Sequence, residues 1–229
     1  MNRVLAIGDI HGCYRSLDAL LAAVQPDQRD TVITLGDYVD RGPDSREVIN
    51  CLIKLSQATS LVSLRGNHEA MMLAAHRGID FARRWMLSGG DDTLDSYDGL
   101  KGAVAQLEDL PEDHWRFLND LRLYWETDDA IFVHGCVDPA LPMVQQEVDT
   151  LLWSSFSGLT SKHCSGKRVI CGHEVQRSGV PANNDYGTCI DTGAWRKGWL
   201  TCVQIDTMTF WQANENQTTR RFTSDTIPT

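Results

Sequence analysis

The chain has 229 residues, 42% of them hydrophobic, enough to bury a sizeable core in one domain. Its 31 acidic and 21 basic side chains leave a formal net charge of −10, which repels a phosphate backbone at long range and argues against nucleic acid as a partner. The first apolar run, Val4–Ile7, stops at Gly8 and Asp9, and no later run approaches a membrane span, so no signal peptide and no membrane partner are expected and the cytoplasm is the expected address.

Residues 3–7 (RVLAI) predict a first strand, and Leu17, Leu20, Leu21 and Val24 recur at helical spacing along 14–24. The alternation repeats with a strand over 31–35, a helix near 45–55, a strand over 61–64 and a helix from Glu69 onward. Successive βαβ units imply a parallel sheet with helices packed on it. From about 79 to 121 the pattern is mostly helical, with Pro111 suited to a first turn ahead of EDHWRFLNDL, and it predicts an insertion over the sheet. Strands return in LRLYWET, AIFVHG, KRVICGH, GTCID and WLTCVQID, with a short TDD turn that suits a hairpin. The second half is thus richer in β structure, some of it antiparallel. Residues 214–229 are polar and aperiodic, which predicts a loose C-terminal tail after a single domain spanning 1–213.

Most of these strands end in glycine and polar side chains. Gly8-Asp9-Ile10-His11-Gly12 follows the first, Gly36-Asp37 through Gly42 the second, and Gly66-Asn67-His68-Glu69 the third; His134-Gly135 and Gly172-His173 end later ones. Ligands of open α/β sheets bind at the carboxyl ends of strands, so the five clusters are expected to converge. Mixed oxygen and imidazole donors suit manganese, iron or zinc better than calcium or a structural zinc. Asp9, His11, Asp37, Asn67, His134 and His173 are too many for one tetrahedral site, so a pair of ions sharing a bridging carboxylate is the simpler reading. One histidine at a strand end is ordinarily a hydrogen-bonded core or surface residue; the coincidence of five polar strand ends argues for ligands. His76, His114 and His163 lack that setting and read as structural.

GDIHG (8–12), GDYVDRG (36–42) and GNHE (66–69), followed by separate histidine motifs, resemble the phosphoprotein phosphatase family of binuclear metallophosphoesterases over roughly residues 3–205. GNHEAMM and RWMLSGG further resemble its small bacterial and phage lambda-type members, and LLWS at 151–154 resembles the tryptophan-containing stretch of the phage type as well as eukaryotic members. The resemblance implies a calcineurin-like α/β fold, two packed mixed sheets flanked by helices. It also implies a metal-dependent protein phosphatase for phosphoserine and phosphothreonine, with phosphotyrosine as a further substrate. Asp9 and His11 would hold the first ion, Asp37 would bridge, and Asn67, His134 and His173 would hold the second. His68 would be the general acid, oriented by Asp40, while Arg41 grips the phosphate and Asn67 and His68 also face the substrate. The cofactors implied are two divalent transition-metal ions, manganese first with iron or zinc as alternatives, and the partner is a phosphoprotein or phosphopeptide.

The chain also departs from the family pattern. Phage-type members carry a second phosphate-binding arginine two residues after the tryptophan; here that position is Ser155, with Arg177 and Lys162 as candidate substitutes. The usual HGG or HAD is His134-Gly135-Cys136, and Glu174 follows the GH motif. Seven cysteines with no CxxC pair read as reduced core thiols, and Cys136 reads as a small buried filler, an oxidisable thiol being the alternative. Arg83, Arg84 and Trp85 read as a helix surface with a packed tryptophan, a substrate-facing role being the alternative. Two other functions compete: a symmetrical diadenosine tetraphosphate hydrolase, which shares the metal motifs, and a non-catalytic metal-binding module. The hydrolases tend to lose the Asp before the Arg and to read GNHD, so Asp40 and Glu69 favour the phosphatase; His68 disfavours an inert scaffold.

Overall fold

In the computed structural model, which describes residues 2–98 and 105–226, two mixed sheets lie face to face. Strands β1 (Val4–Ile7), β2 (Thr31–Thr34) and β3 (Ser60–Ser63) run parallel, joined by helices α1 (Tyr14–Val24) and α2 (Ser45–Ala58). After α3 (Asn67–Ala75) come α4 (Ile79–Trp85), an irregular turn Met86–Gly90, α5 (Asp91–Asp95) and α6 (Glu112–Asn119), the region predicted as a helical insertion. Residues 99–104 of that prediction lie outside the described residues. β4 (Tyr124–Glu126) and β5 (Ala130–Val133) form an antiparallel hairpin across the TDD turn. Helix α7 (Val148–Trp153) precedes β6 (Arg168–Cys171), β7 (Ala182–Asn183), β8 (Gly187–Cys189), β9 (Leu200–Gln204), β10 (Thr209–Ala213) and β11 (Thr219–Thr223). The first sheet runs β11-β10-β9-β1-β2-β3 and the second β4-β5-β6-β8-β7. Among the described residues, no helix is long and apolar enough to cross a membrane.

Strand alternation decides which residues meet. Ala6 of β1 and Ile33 of β2 share the core between the sheets with Phe132 of β5 and Ile170 of β6, whereas Leu5, Ile7 and Val32 belong to the helical side. Leu17, Leu20 and Val24 of α1, and Val48, Ile49 and Leu52 of α2, recur at three- and four-residue spacing and meet them there. On the far side of the second sheet, Ile131, Val133 and Val169 pack with Leu151 of α7 and Phe156. Each such buried aliphatic contributes about 1.5–3 kcal/mol over an exposed one, so the strand ends are held by cores on both sides of each sheet.

The expectation of a loose tail over 214–229 is corrected by β11, which pairs with β10 from Thr209↔Thr223 to Ala213↔Thr219. Asn214 Oδ1 closes the turn by accepting the N–H groups of Asn216 and Thr218. Phe222 stacks on Phe210, and the guanidiniums of Arg220 and Arg221 lie 4.3 and 5.0 Å over the rings of Trp199 and Trp211. The apolar surface that holds this strand belongs mostly to its neighbours, so it is polar in sequence; charged side chains on an edge strand also discourage pairing with other chains. Residues 227–229 lie outside the described residues.

Candidate active site

The carboxyl ends of β1, β2 and β3 bring Asp9, His11, Asp37, Asn67 and His68 to the seam between the sheets, where β5 and β6 deliver His134 and His173. All are buried except His173, which is half-buried. The chain turns sharply to do this: φ is 45° at His11, 51° at Asp37, 71° at both Asp40 and Arg41, and 64° at His173. Left-handed backbone is unfavourable for side-chain-bearing residues and persists where the surroundings over-determine it. Two glycines make room. A Cβ at Gly172 would stand 2.0 Å from Asp9 Oδ1, and one at Gly66 would stand 2.1 Å from Asp37 Oδ1. The buried Glu69 pins the Asp37 turn by accepting the N–H groups of Asp37 (2.8 Å), Tyr38 (2.7 Å) and Gly66 (2.9 Å). Burial and the Asp37 charge push the Glu69 pKa up to about 7.

The seam is rich in acceptors that face one another. His134 Nδ1–H donates to the Leu35 carbonyl (3.0 Å), which leaves the Nε2 lone pair 2.8 Å from Asn67 Oδ1 and 3.4 Å from Asp37 Oδ1. Burial pushes the His134 pKa down to about 4, so the ring is neutral near pH 7 and brings no second proton to relieve this contact. His173 Nδ1 approaches the same Asn67 oxygen at 3.1 Å. On the other side, His11 Nδ1–H donates to the Val39 carbonyl (2.9 Å) and Nε2 faces Asp37 Oδ2 at 3.3 Å. Each oxygen of Asp37 is thus presented to a different imidazole, the arrangement a bridging carboxylate needs. Donor atoms about 2.1 Å from a common ion stand roughly 3 Å apart, as these do, and imidazoles anchored through their other nitrogen are typical metal ligands. The side chains whose donor atoms lie close enough together to share a divalent ion are His11, Asp37 and His68 on one side and Asp37, His134 and His173 on the other; the predicted ligand Asp9 belongs to neither grouping.

Burial and neighbouring charge shift the two carboxyls of the seam in opposite directions. Burial, with Asp191 and Asp37 nearby, holds the Asp9 carboxyl well above the usual carboxylate range, although His173 N–H donates to both its oxygens at 3.2 and 3.1 Å. Burial acts in the same sense on Asp37, but His134, His68 and His11 outweigh it and hold that carboxyl well below the range.

In the same seam, His68 Nδ1–H donates to Asp40 Oδ2 at 2.6 Å, while its Nε2 lies 4.0 Å from Asp37 Oδ2. Asp40 also accepts from the indole N–H of Trp85 (2.9 and 3.0 Å) and the hydroxyl of Thr93 (2.7 Å). Arg41 donates through Nη1 to His11 Nε2 (3.0 Å), lies 4.6 Å over the Trp195 ring, and gives its backbone N–H to the Gly89 carbonyl (3.3 Å). The helical segment from Trp85 to Thr93 therefore grips both Asp40 and Arg41.

Four residues at the site escape the sequence reading. Trp85 is buried as expected of a packed tryptophan, but its indole N–H serves Asp40; Thr93 and Trp195 carry no sequence signal at all. Asp191 does carry one, because GTCID ends in an aspartate just as the other strands end in polar groups. The histidines read as structural are so placed: His114 lies between Tyr97 Oη (2.7 Å) and Asn50 Oδ1 (2.9 Å), His163 contacts the Leu141 carbonyl, and His76 stacks on Trp115. Cys136 is buried in the core behind the second sheet. Arg84 lies 5.4 Å over Trp153, which is edge-on to His173 at 6.1 Å.

The calcineurin-like phosphoesterase family model matches residues 2–177. The chain is 40% identical over 91 residues to serine/threonine-protein phosphatase 1 of Salmonella typhimurium, a stretch covering 39% of this chain and 40% of that protein. It is 49% identical over 74 residues to a symmetrical bis(5'-nucleosyl)-tetraphosphatase of Klebsiella pneumoniae, covering 32% of this chain and 26% of that one. The matched stretches thus span less than half the length of these curated relatives. A crystal structure titled a putative diadenosine tetraphosphatase superposes with a TM-score of 0.66 at 21% identity, over 96% of this chain and 93% of that one, a likeness of fold. With three quarters of its length matched by the family model and the acceptor-rich seam at the strand ends, the chain belongs to the calcineurin-like phosphoesterase family.

Proposed function

We propose that the chain is a metal-dependent phosphomonoesterase that removes phosphate from serine and threonine side chains of proteins, and from tyrosine as a further substrate. We assign it a manganese pair and a cytoplasmic setting. In this reading Asp9 and His11 hold one ion, Asn67, His134 and His173 the other, and Asp37 both. Bound there, two divalent ions would lower the pKa of a shared water and draw charge from the phosphoryl oxygens. Arg41 offers a planar fork to the remaining phosphate oxygens. His68, as an imidazolium, keeps Nδ1–H on Asp40 and delivers the Nε2 proton to the departing alkoxide.

The observation that carries the reading is the 2.6 Å contact of His68 with Asp40. An alkoxide is a poor leaving group and needs that proton, whereas a nucleotide anhydride leaves as a phosphate and gains little from it. Symmetrical hydrolysis of a dinucleoside tetraphosphate is the alternative, favoured by the identity to the Klebsiella pneumoniae enzyme. A panel of phosphopeptides and diadenosine tetraphosphate, assayed side by side under manganese, separates the two. The expected outcome is a higher kcat/KM on the peptides. A tenfold preference for the dinucleotide, about 1.4 kcal/mol of transition-state discrimination, overturns the substrate assignment.

A further inference from the structure

Next to the proposed metal seam lies a concentration of positive charge of which the reading above uses only Arg41. Trp195 sits in the tight turn that follows Asp191, and two guanidiniums overlie its indole: Arg41 at 4.6 Å and Arg196 at 4.5 Å from the ring centre. The two cations therefore lie within about 9 Å of each other. Among the described residues, the ion pairs of arginine and lysine with carboxylates involve Arg3, Arg29, Arg116 and Lys167, and neither Arg41 nor Arg196 belongs to one. Arg41 feels the buried Asp191 only at longer range. That is notable in a chain with ten more acidic than basic side chains, where carboxylates are plentiful.

Arg196 also lines a cleft of about 250 Å³ with Arg177, between the segment that follows His173 and the turn that follows Asp191. The cleft thus opens off the two loops that carry seam residues. Two guanidiniums on one ring repel each other, and an anion between or beside them relieves the repulsion. Aromatic stacking holds Arg196 in a preferred place, so less side-chain freedom is lost when an anion binds.

We propose that Arg196, stacked on Trp195 and backed by Arg177, binds a second anionic group of the substrate, next to the phosphate gripped by Arg41. This rests on the phosphatase reading for its source of the anion. In an extended peptide, side chains two residues apart share a face and stand about 6.6 Å apart, below the limit of about 9 Å that the shared ring sets on the separation of the two guanidiniums. The group fitted is then a Glu or Asp two positions from the phosphoserine. In a polyphosphate it would be a further phosphate.

The test uses two phosphoserine peptides that differ only in Glu or Gln at that position, with diadenosine tetraphosphate as a third substrate, on the wild type, Arg196→Gln and Arg196→Lys under manganese. The wild type is expected to favour the Glu peptide about tenfold in kcat/KM, mainly through KM; Arg196→Gln abolishes the preference and Arg196→Lys keeps most of it. An unchanged preference in Arg196→Gln overturns the proposal, as does a wild type with no preference and an Arg196→Gln variant equally active on the dinucleotide. If the wild type instead favours the dinucleotide and Arg196→Gln weakens that substrate selectively, the anion site stands and the protein-phosphatase reading falls.

Discussion

At Asp40, donors from three separate segments converge: His68 of α3, Trp85 of α4 and Thr93 of α5. A buried carboxylate held this way has little freedom to rotate, and the imidazole it carries inherits that rigidity. Trp85→Phe keeps most of the buried ring and removes one donor. A hydrogen bond to a charged group is worth about 1.5–3 kcal/mol, and part of that loss is expected to reach catalysis. The variant should therefore hydrolyse alkyl phosphates about tenfold more slowly, with aryl phosphates affected less, because only the poorer leaving group depends on the oriented proton. A uniform loss on both substrates would point to misfolding instead. His68→Asn removes the donor outright, and its expected cost on alkyl phosphates is about 10²–10⁴-fold, with metal content preserved. Elemental analysis of the same preparation checks the second half of that statement.

The elements around the site divide into those that carry chemistry and those that hold it. β11 is of the second kind, and it can be tested alone. Phe222 is buried against Phe210, so Phe222→Ala is expected to cost about 3 kcal/mol and to lower the melting temperature by about 6–12 °C, read by calorimetry. A shift under 2 °C would mean that the strand adds little to the fold. The same strand shows where sequence reading stops. The βαβ units and their polar ends are legible because periodicity, glycine turns and ligand types all lie within a few neighbouring residues, as at Gly36-Asp37 and Gly66-Asn67. β11 draws its apolar contacts from Trp199, Phe210 and Trp211, and the Trp195 ring reaches Arg41 from the opposite end of the chain. Such pairings are set by tertiary contact and leave no local trace. The segment that carries Trp85 and Thr93 was legible as helix but not as the clamp on Asp40 and Arg41, for the same reason.

For the whole molecule, the seam is where the two sheets have to agree. Asp9, Asp37 and Asn67 come from the first sheet, His134 and His173 from the second, and Asp191 and Glu69 add buried acid close by. Without cations, this assembly concentrates carboxylates and lone pairs in a space that water does not reach freely, on a chain already at −10. Ions bound across it would join the sheets and relieve that repulsion together, and they would favour the folded chain, since the unfolded one has no such geometry. A site filled at one hundred times its Kd contributes about 2.7 kcal/mol, so two contribute about 5 kcal/mol. In a chain of this size that corresponds to about 10–20 °C in Tm. We therefore expect two ions per chain by elemental analysis and a melting temperature higher by that amount in manganese than in chelator. His134→Ala should retain about one ion and lose roughly half of the stabilisation, because His11 and Asp9 remain on the other side of Asp37. Equal melting temperatures with and without manganese, or a single ion at saturation in the wild type, would sink the binuclear assignment and leave the fold as described.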